Sequence, residues 1–194
     1  KPSSAASDVY KRQFHDNGPN GNRWNGDMEG RKGSTEEGGT RSPLLIRWPR
    51  LIKPGIQITE IASARDLLPT FLDLAGIEEP APLRLDGKSL KPLLLGSEEE
   101  WKSRKLVSYW KNKLGVRGQR FRLGYKGGLY DMKNDPGQRK DVSDRFPDAK
   151  KGLERKADWF REKVLPELGE DYRPFQIGHP HVSWTQVPAR DAVA

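Results

Sequence analysis

The chain has 194 residues, and its 35 Lys and Arg outnumber its 27 Asp and Glu to give a net charge of +8. Hydrophobic residues make up 34%, below the usual share of about 45%, so a core must be concentrated in a few segments. There is no Cys, no apolar run near the roughly 18 residues that cross a bilayer, and no basic stripe free of acidic residues. We therefore expect no disulfide, no membrane partner and no nucleic acid.

Residues 1–13 show neither the apolar alternation of a strand nor the apolar stripe of a helix. They are similar to adaptor-derived read-through, and a natural disordered tail would have the same consequence for the fold. We expect a non-native or disordered leader here, with the folded part beginning near Phe14.

Residues 30–43, GRKGSTEEGGTRSP, contain four glycines and end on a proline. Glycine leaves the backbone too free for regular structure, and proline removes a hydrogen-bond donor. The segment is predicted to be a shaped loop rather than a helix or a central strand. Glu37 and Arg41 are expected to be structural partners around its Gly-Gly turn.

The next segment, PLLIRWP at 43–49, predicts a buried strand bounded by its two prolines. Its apolar side chains are Leu44, Leu45, Ile46 and Trp48. If this strand belongs to a larger domain, its apolar surface is exposed when the chain stands alone. We then predict poor solubility for an isolated preparation of residues 14–194.

Apolar residues recur at helical spacing from Leu67 to Ala75, which predicts a helix. Ser63 is a suitable N-cap, Gly76 a suitable stop, and Pro69 is close enough to the start to be tolerated. A strand, a connection and a helix in this order are typical of the tail of an α/β domain.

Residues 80–96 are rich in proline and leucine and are predicted to cross the surface to a second unit. There, four short alternating segments between 105 and 132 predict a small antiparallel sheet with one wet face. A helix near 148–165 carries one apolar stripe that would pack on this sheet. Residues 171–194 look irregular.

Four pieces, in this order, carry a family resemblance: DNG at 16–18, GRKGSTEEGGTRSPLLIRWP at 30–49, DLLPTFLDLAGI with LDGKSL between 66 and 90, and GLYDMKNDPGQRKDVSD at 128–144. Together they resemble the C-terminal half of a type I, formylglycine-dependent sulfatase of the alkaline-phosphatase-like superfamily. The resemblance covers roughly residues 14–165.

The resemblance implies an α/β fold: the C-terminal part of a sulfatase domain, then a small antiparallel sheet with a packed helix. We accordingly predict four regions, with boundaries at 1–13 for the leader, 14–95 for the α/β part, 96–170 for the sheet-and-helix subdomain and 171–194 for the tail. It also implies a periplasmic or secreted protein.

Asp16 and Asn17 offer a carboxylate and a carboxamide oxygen side by side, and Gly18 lets the backbone turn sharply. Oxygen ligands of this kind suit a hard cation such as Ca²⁺, although a surface Asn-Gly turn would use the same residues. The resemblance assigns Asp16 and Asn17 as ligands of a calcium ion. His15 departs from the small hydroxyl residue common in the family and is read as a loop histidine.

Lys32 begins a K-G-S segment that matches the family's K-G-[ST]. The resemblance implies that this lysine contacts the sulfate and offsets charge on the leaving oxygen. A fixed ammonium is suited to that role because negative charge develops on the bridging oxygen of a sulfate ester as its S–O bond breaks. An ordinary exposed loop lysine is the alternative. Glu36 stands where the family often has an aromatic residue.

The resemblance implies a formylglycine nucleophile made from Cys or Ser in a C-x-P-x-R type segment. This sequence has no Cys and no S-x-[PA]-x-R segment, so we expect a fragment that is inert alone, from a parent that is a sulfuric ester hydrolase. Its substrate would be a sulfated small molecule or polysaccharide. The alternatives are a phosphodiesterase or phosphonate monoester hydrolase of the same superfamily, or a non-catalytic basic glycan-binding module.

Several basic residues fall in the predicted sheet, where they could meet an anionic glycan or simply be solvated. They are Lys111, Lys113, Arg117, Arg120 and Arg122.

Overall fold

The computed structural model describes residues 11–21, 23–78, 85–97 and 101–169. Within these ranges the chain forms a two-stranded sheet, a four-stranded sheet and helices between and after them. The predicted tail at 171–194 and most of the predicted leader lie outside the described residues.

The first sheet pairs β1 (Lys11–Phe14) antiparallel with β2 (Leu44–Arg47). Residues 11–13, which were expected to belong to the leader, therefore lie in a strand. β2 alternates between half-buried and exposed side chains, and Leu45 is 63% exposed. The prediction of a buried strand was wrong because this two-stranded sheet exposes one face to solvent.

A single helical turn, α1 (Glu37–Thr40), lies inside the glycine-rich loop. The backbone amide of Arg41 closes it by donating to the Glu37 carbonyl at 2.8 Å. The prediction that residues 30–43 contain no helix was therefore wrong over this turn. Gly38 and Gly39 are needed here because a Cβ on either would collide with carbonyl oxygens of Gly30 or Ser34.

The predicted helix is confirmed as α2 (Leu67–Ala75), preceded by a 3₁₀ turn at Ala64–Asp66. The Ser63 amide donates to Asp66 Oδ2 at 2.7 Å. Gly76 ends the helix in the left-handed region at φ 67°, where glycine carries no Cβ penalty.

The described part of the segment predicted to cross the surface forms a core instead. Leu90, Leu93 and Leu94, in and beside α3 (Lys91–Leu95), are almost completely buried. Partly buried apolar side chains pack around them: Leu44, Ile46, Ile52, Ile58, Leu74 and Trp101. This core joins β2, α2 and α3, so the burial of its leucines and not the proline content of the segment decides the position of α3.

The predicted four-stranded antiparallel sheet is confirmed, in the order β3 (Leu106–Trp110), β4 (Lys113–Arg117), β5 (Phe121–Leu123) and β6 (Leu129–Asp131). The predicted closing helix is α4 (Pro147–Lys163). Its apolar stripe packs on one face of the sheet to form a second core. The buried members of this core are Leu114, Val116, Leu123, Leu129, Leu153 and Ala157.

Among the described residues, no helix combines the length and apolar character that crossing a bilayer requires.

Candidate functional site

The structure brings together the two loop segments in which the sequence predicted site residues. The Gly18 amide donates to the Gly39 carbonyl at 3.0 Å, and the Lys32 amide donates to the Pro19 carbonyl at 3.0 Å. A Cβ on Gly18 would collide with the Gly38 carbonyl. The turn at residues 16–18 therefore runs in close backbone contact with the loop that carries Lys32.

The side chains of Asp16 and Lys32 are exposed, and Asn17 is half-buried. His15 is also exposed, and its carbonyl accepts a hydrogen bond from Ser42 Oγ at 2.6 Å. The polar side chains predicted for the site are thus accessible to a solute and are not buried in the core.

A shallow cavity of about 340 Å³ adjoins these segments. It is lined by Gly21, Arg23, Asn25, Gly30 and Arg31. Asn25 holds one wall in place, because its side-chain amide donates to the Met28 carbonyl at 2.9 Å and the Gly30 carbonyl at 3.1 Å. The cavity therefore opens beside the residue that precedes Lys32.

Asp16 and Asn17 provide some of the oxygen ligands that a hard cation requires. Ca²⁺ takes about six to eight oxygen ligands, and Asp16 with Asn17 supplies two side chains. In the part of the chain that the structure describes, no group of three or more His, Asp or Glu side chains could hold a metal. The oxygen chemistry of the pair fits the ion, but only as part of a shell that other residues would complete.

A buried ionic network fixes the loop that carries Lys32 to the four-stranded sheet. Arg122 of β5 is 1% exposed and donates to Glu37 Oε2 at 3.0 Å, to the more distant Glu36 Oε2 at 3.4 Å, and to the Thr35 carbonyl. Arg117 of β4 donates to Glu37 Oε2 at 3.2 Å. Burial lowers the pKa of Arg117, while the neighbouring Glu37 carboxylate opposes that shift.

Two glycines let this loop lie flat on the sheet. A Cβ on Gly115 of β4 would stand 3.0 Å from the Thr35 carbonyl oxygen, and one on Gly124 would stand 3.4 Å from Glu36 Oε1. Gly115 and Arg117 share one face of β4, and Leu114 and Val116 point to the other face, toward α4. The loop and α4 therefore cover opposite faces of the same sheet.

Gln138 completes the network from a third segment. Its side-chain amide donates to Glu36 Oε2 at 2.5 Å, and its carbonyl oxygen accepts from the Glu37 amide at 3.0 Å. Next to it, Thr35 Oγ1 is buried with no hydrogen-bond partner among the residues described. The network thus leaves one buried hydroxyl unsatisfied.

The prediction for the basic residues of the sheet was wrong at two positions. Arg117 and Arg122 are largely buried and held by Glu37, so they are neither simply solvated nor presented to a glycan. Arg120 donates to Asp131 at 2.7 Å and stays 49% exposed. The expected Glu37–Arg41 contact exists at 3.7 Å, but no sequence pattern indicated the closer partners of Glu37, which lie about 80 residues further along the chain.

The fold of this chain has a counterpart among solved structures. The crystal structure of Ps i-CgsB superimposes with a TM-score of 0.68 at 25% identity, covering 78% of this chain and 36% of that one. The predicted fold class is confirmed by this likeness together with the mixed helices and antiparallel sheets. A family model described as N-sulphoglucosamine sulphohydrolase, C-terminal, matches residues 32–158. The chain belongs to this family, in the C-terminal region of the sulfatases.

Curated relatives are sulfatases as well. Steryl-sulfatase of Rattus norvegicus is 49% identical over 82 residues, which cover 41% of this chain and 14% of that protein. N-acetylglucosamine-6-O-sulfatase of Bacteroides thetaiotaomicron is 34% identical over 131 residues, which cover 59% of this chain and 23% of that protein. The chain thus spans less than a quarter of the length of these relatives.

Proposed function

We propose that this chain supplies part of the active site of a sulfuric ester hydrolase. The observation that carries the proposal is the close pairing of the Asp16–Gly18 turn with the loop that begins at Lys32, within a chain that belongs to the sulfatases. The regional boundaries predicted from the sequence, at 14–95 and 96–170, are part of the same proposal.

Lys32 would stabilise the reaction electrostatically. Its ammonium is exposed, while the backbone that carries it is fixed through Pro19 and through the buried network at Glu36 and Glu37. A charge that is held in place before the reaction stabilises the transition state more than a mobile charge does. The reason is that the fixed charge needs no reorganisation as negative charge builds on the bridging oxygen. Lys32 would thus both bind the sulfate and favour departure of the alcohol.

Asp16 and Asn17 would contribute oxygen ligands to a calcium ion. When bound, that ion supplies polarisation of the sulfate oxygens. The carboxylate of Asp16 provides charge, and the Asn17 carboxamide provides a neutral donor, held by the turn at Gly18. The remaining ligands would come from parts of the enzyme that this sequence does not contain.

The formylglycine nucleophile would also come from outside this sequence, which has no Cys and no S-x-[PA]-x-R segment. The chain is therefore proposed to bind and orient the sulfate ester and to neutralise its developing negative charge. The attacking group and the general acid would be contributed by other parts of the enzyme. On this basis the chain alone should not turn over a sulfate ester.

Sulfated saccharides are the proposed substrate class. One relative is named an N-acetylglucosamine-6-O-sulfatase, and Ps i-CgsB has also been crystallised with k-i-k-neocarrahexaose. The matched family is itself described by a sulfated glucosamine. These names support a sugar sulfate, whereas relatives named steryl-sulfatase and arylsulfatase A support a steryl or aryl sulfate as the alternative substrate.

A chimaera tests the proposal. This chain would replace the matching segment of the Bacteroides thetaiotaomicron N-acetylglucosamine-6-O-sulfatase, and sulfate release from a sulfated glucosamine would be measured. We expect turnover, and a loss of about 10²–10³ in kcat for Lys32→Ala, the size seen when one preorganised charge-stabilising group is removed. Lys140→Ala, an exposed lysine outside the site, is the control. Equal rates for the two variants would refute the role of Lys32.

A further inference from the structure

The face of the four-stranded sheet that contacts the Lys32 loop also carries exposed aromatic side chains. Trp110 at the end of β3 is 51% exposed, and Tyr125 after β5 is 38% exposed. The loop contacts this face at Gly115 and Gly124. Both aromatic side chains therefore lie beside the part of the sheet that holds the Lys32 loop.

Basic side chains lie beside these aromatic rings. Lys113 pairs with Trp110 across the β3–β4 hairpin, and its Nζ lies 5.2 Å from the centroid of the Tyr125 ring. Lys126 Nζ lies 5.6 Å from the same centroid. We call Trp110, Lys113, Tyr125 and Lys126 the aromatic-basic row.

The hairpin turn holds this row in a defined shape. Lys111 and Asn112 both have positive φ, 45° and 62°, as a two-residue type I′ turn requires. Asn112 Oδ1 accepts a hydrogen bond from the Tyr109 hydroxyl at 2.8 Å, which braces the turn. The backbone that carries Trp110 is thus held in place, which lowers the entropy lost when a ligand contacts its ring.

The row borders the residue that follows Lys32. A Cβ built on Gly33 would have Trp110 Nε1 as its neighbour, at 3.9 Å. The nearby carboxylate of Glu36 is buried and paired with Arg122, so it does not oppose an anion at the surface. An anionic ligand that reaches from Lys32 onto the row would therefore not be repelled by Glu36, whose charge is paired.

We propose that the aromatic-basic row is a subsite for a neighbouring sugar unit of a sulfated oligosaccharide. The flat faces of Trp110 and Tyr125 suit the C–H face of a pyranose ring, as amphipathic aromatic side chains do at wet interfaces. The ammonium groups of Lys113 and Lys126 suit its sulfate groups. The assignment rests on the proposed function, because it takes Lys32 as the residue that holds the sulfate to be cleaved.

The chain contains a matched control on its other side. Trp159 on α4 is 46% exposed, and Lys156 Nζ lies 3.3 Å from its ring centroid. This pair has the same chemistry as the row but is carried by the helix that covers the opposite face of the sheet. Non-specific attraction of an anion to a surface tryptophan and lysine would therefore treat both pairs alike.

The experiment measures binding of a heparin hexasaccharide to the full chain, immobilised at low density so that copies stay apart. We expect Trp110→Ala to weaken binding by about tenfold, since tryptophan is the most frequent energetic anchor at binding surfaces. Lys113→Ala and Lys126→Ala should each reduce the affinity and its dependence on salt. Trp159→Ala and Lys156→Ala should leave binding unchanged, and the desulfated hexasaccharide should bind weakly.

Equal losses from the two tryptophan variants, or no detectable binding of the sulfated hexasaccharide, would overturn the proposal. A single-stranded oligonucleotide of the same charge is included, because stacking on aromatic rings beside cations also suits nucleic acid. Binding of the oligonucleotide as tight as that of the saccharide would reject the assignment to sugar. No hydrolysis is measured, so failure here is distinct from failure of the chimaera.

Discussion

Arg122→Met is the sharpest test of how the Lys32 loop is held. The substitution keeps the volume of the side chain but leaves two carboxylates, Glu36 and Glu37, beside a buried apolar group. Removing one partner of a buried ion pair costs about 3–5 kcal/mol, because the remaining charge is uncompensated. Arg117 stays 3.2 Å from Glu37, so we expect the lower end of that range, about 3 kcal/mol, in the free energy of unfolding.

The assay is urea unfolding followed by pulse proteolysis, which works at concentrations low enough to suppress association. Arg161→Met is the control, because its pair with Asp158 is at 2.8 Å but both side chains are more than half exposed. That variant should lose less than about 1 kcal/mol.

A triple variant separates charge from packing. Adding Glu36→Gln and Glu37→Gln to Arg122→Met removes both buried carboxylates but leaves Arg117 without its Glu37 partner, so stability should be restored only in part. If Arg122→Met costs no more than Arg161→Met, or if the triple variant is no better than the single one, the ionic account of the loop is refuted.

Four further predictions follow from particular contacts. Thr35→Val should leave the free energy of unfolding unchanged or raise it, because it removes a buried unsatisfied hydroxyl; a clear loss in urea unfolding would contradict this. Gly18→Ala should destabilise the paired loops and speed hydrogen exchange at residues 16–20. Gly21→Ala should not, because a Cβ on Gly21 meets nothing within 4 Å. Equal exchange in the two variants would refute the close contact between Gly18 and the Lys32 loop. Hydrogen bonding from Arg120 lowers the pKa of Asp131 from 3.8 to about 2. The contribution of Asp131 to the free energy of unfolding is therefore full above pH 3.8 and is lost as the pH falls toward 2. Asp131→Asn should be less stable than the parent near neutral pH, and its free energy of unfolding should fall less between pH 3.8 and pH 2. A preparation of residues 14–194 should associate through exposed apolar side chains such as Leu45, and a monodisperse, cooperatively melting sample would contradict this.

Local patterns were enough to predict α2, the strands of the second sheet and α4, but not β1, α1 or α3. The helical spacing between Leu67 and Ala75, with Ser63 before it and Gly76 after it, defines α2 within the chain itself. The alternating segments of the second sheet and the apolar stripe of α4 carried the same kind of signal. Such signals are local, because the period of a strand or helix is set by neighbouring residues.

The candidate site was predictable only in part. The side chains of Asp16, Asn17 and Lys32 were chosen through a family resemblance, and the structure added that their loops meet at Gly18 and Pro19. The predicted roles of these side chains stay predictions until the chimaera is measured.

Tertiary structure alone decided which charges are buried. In the sequence, Glu36 and Arg122 are ordinary charged residues 86 positions apart, and their separation carries no periodic signal. The same holds for Trp110 beside Gly33, since only the folding of one face of the sheet against the loop brings them together. Sequence determined α2, the strands of the second sheet and α4 because their causes lie within a few residues, whereas burial and proximity depend on how distant elements pack.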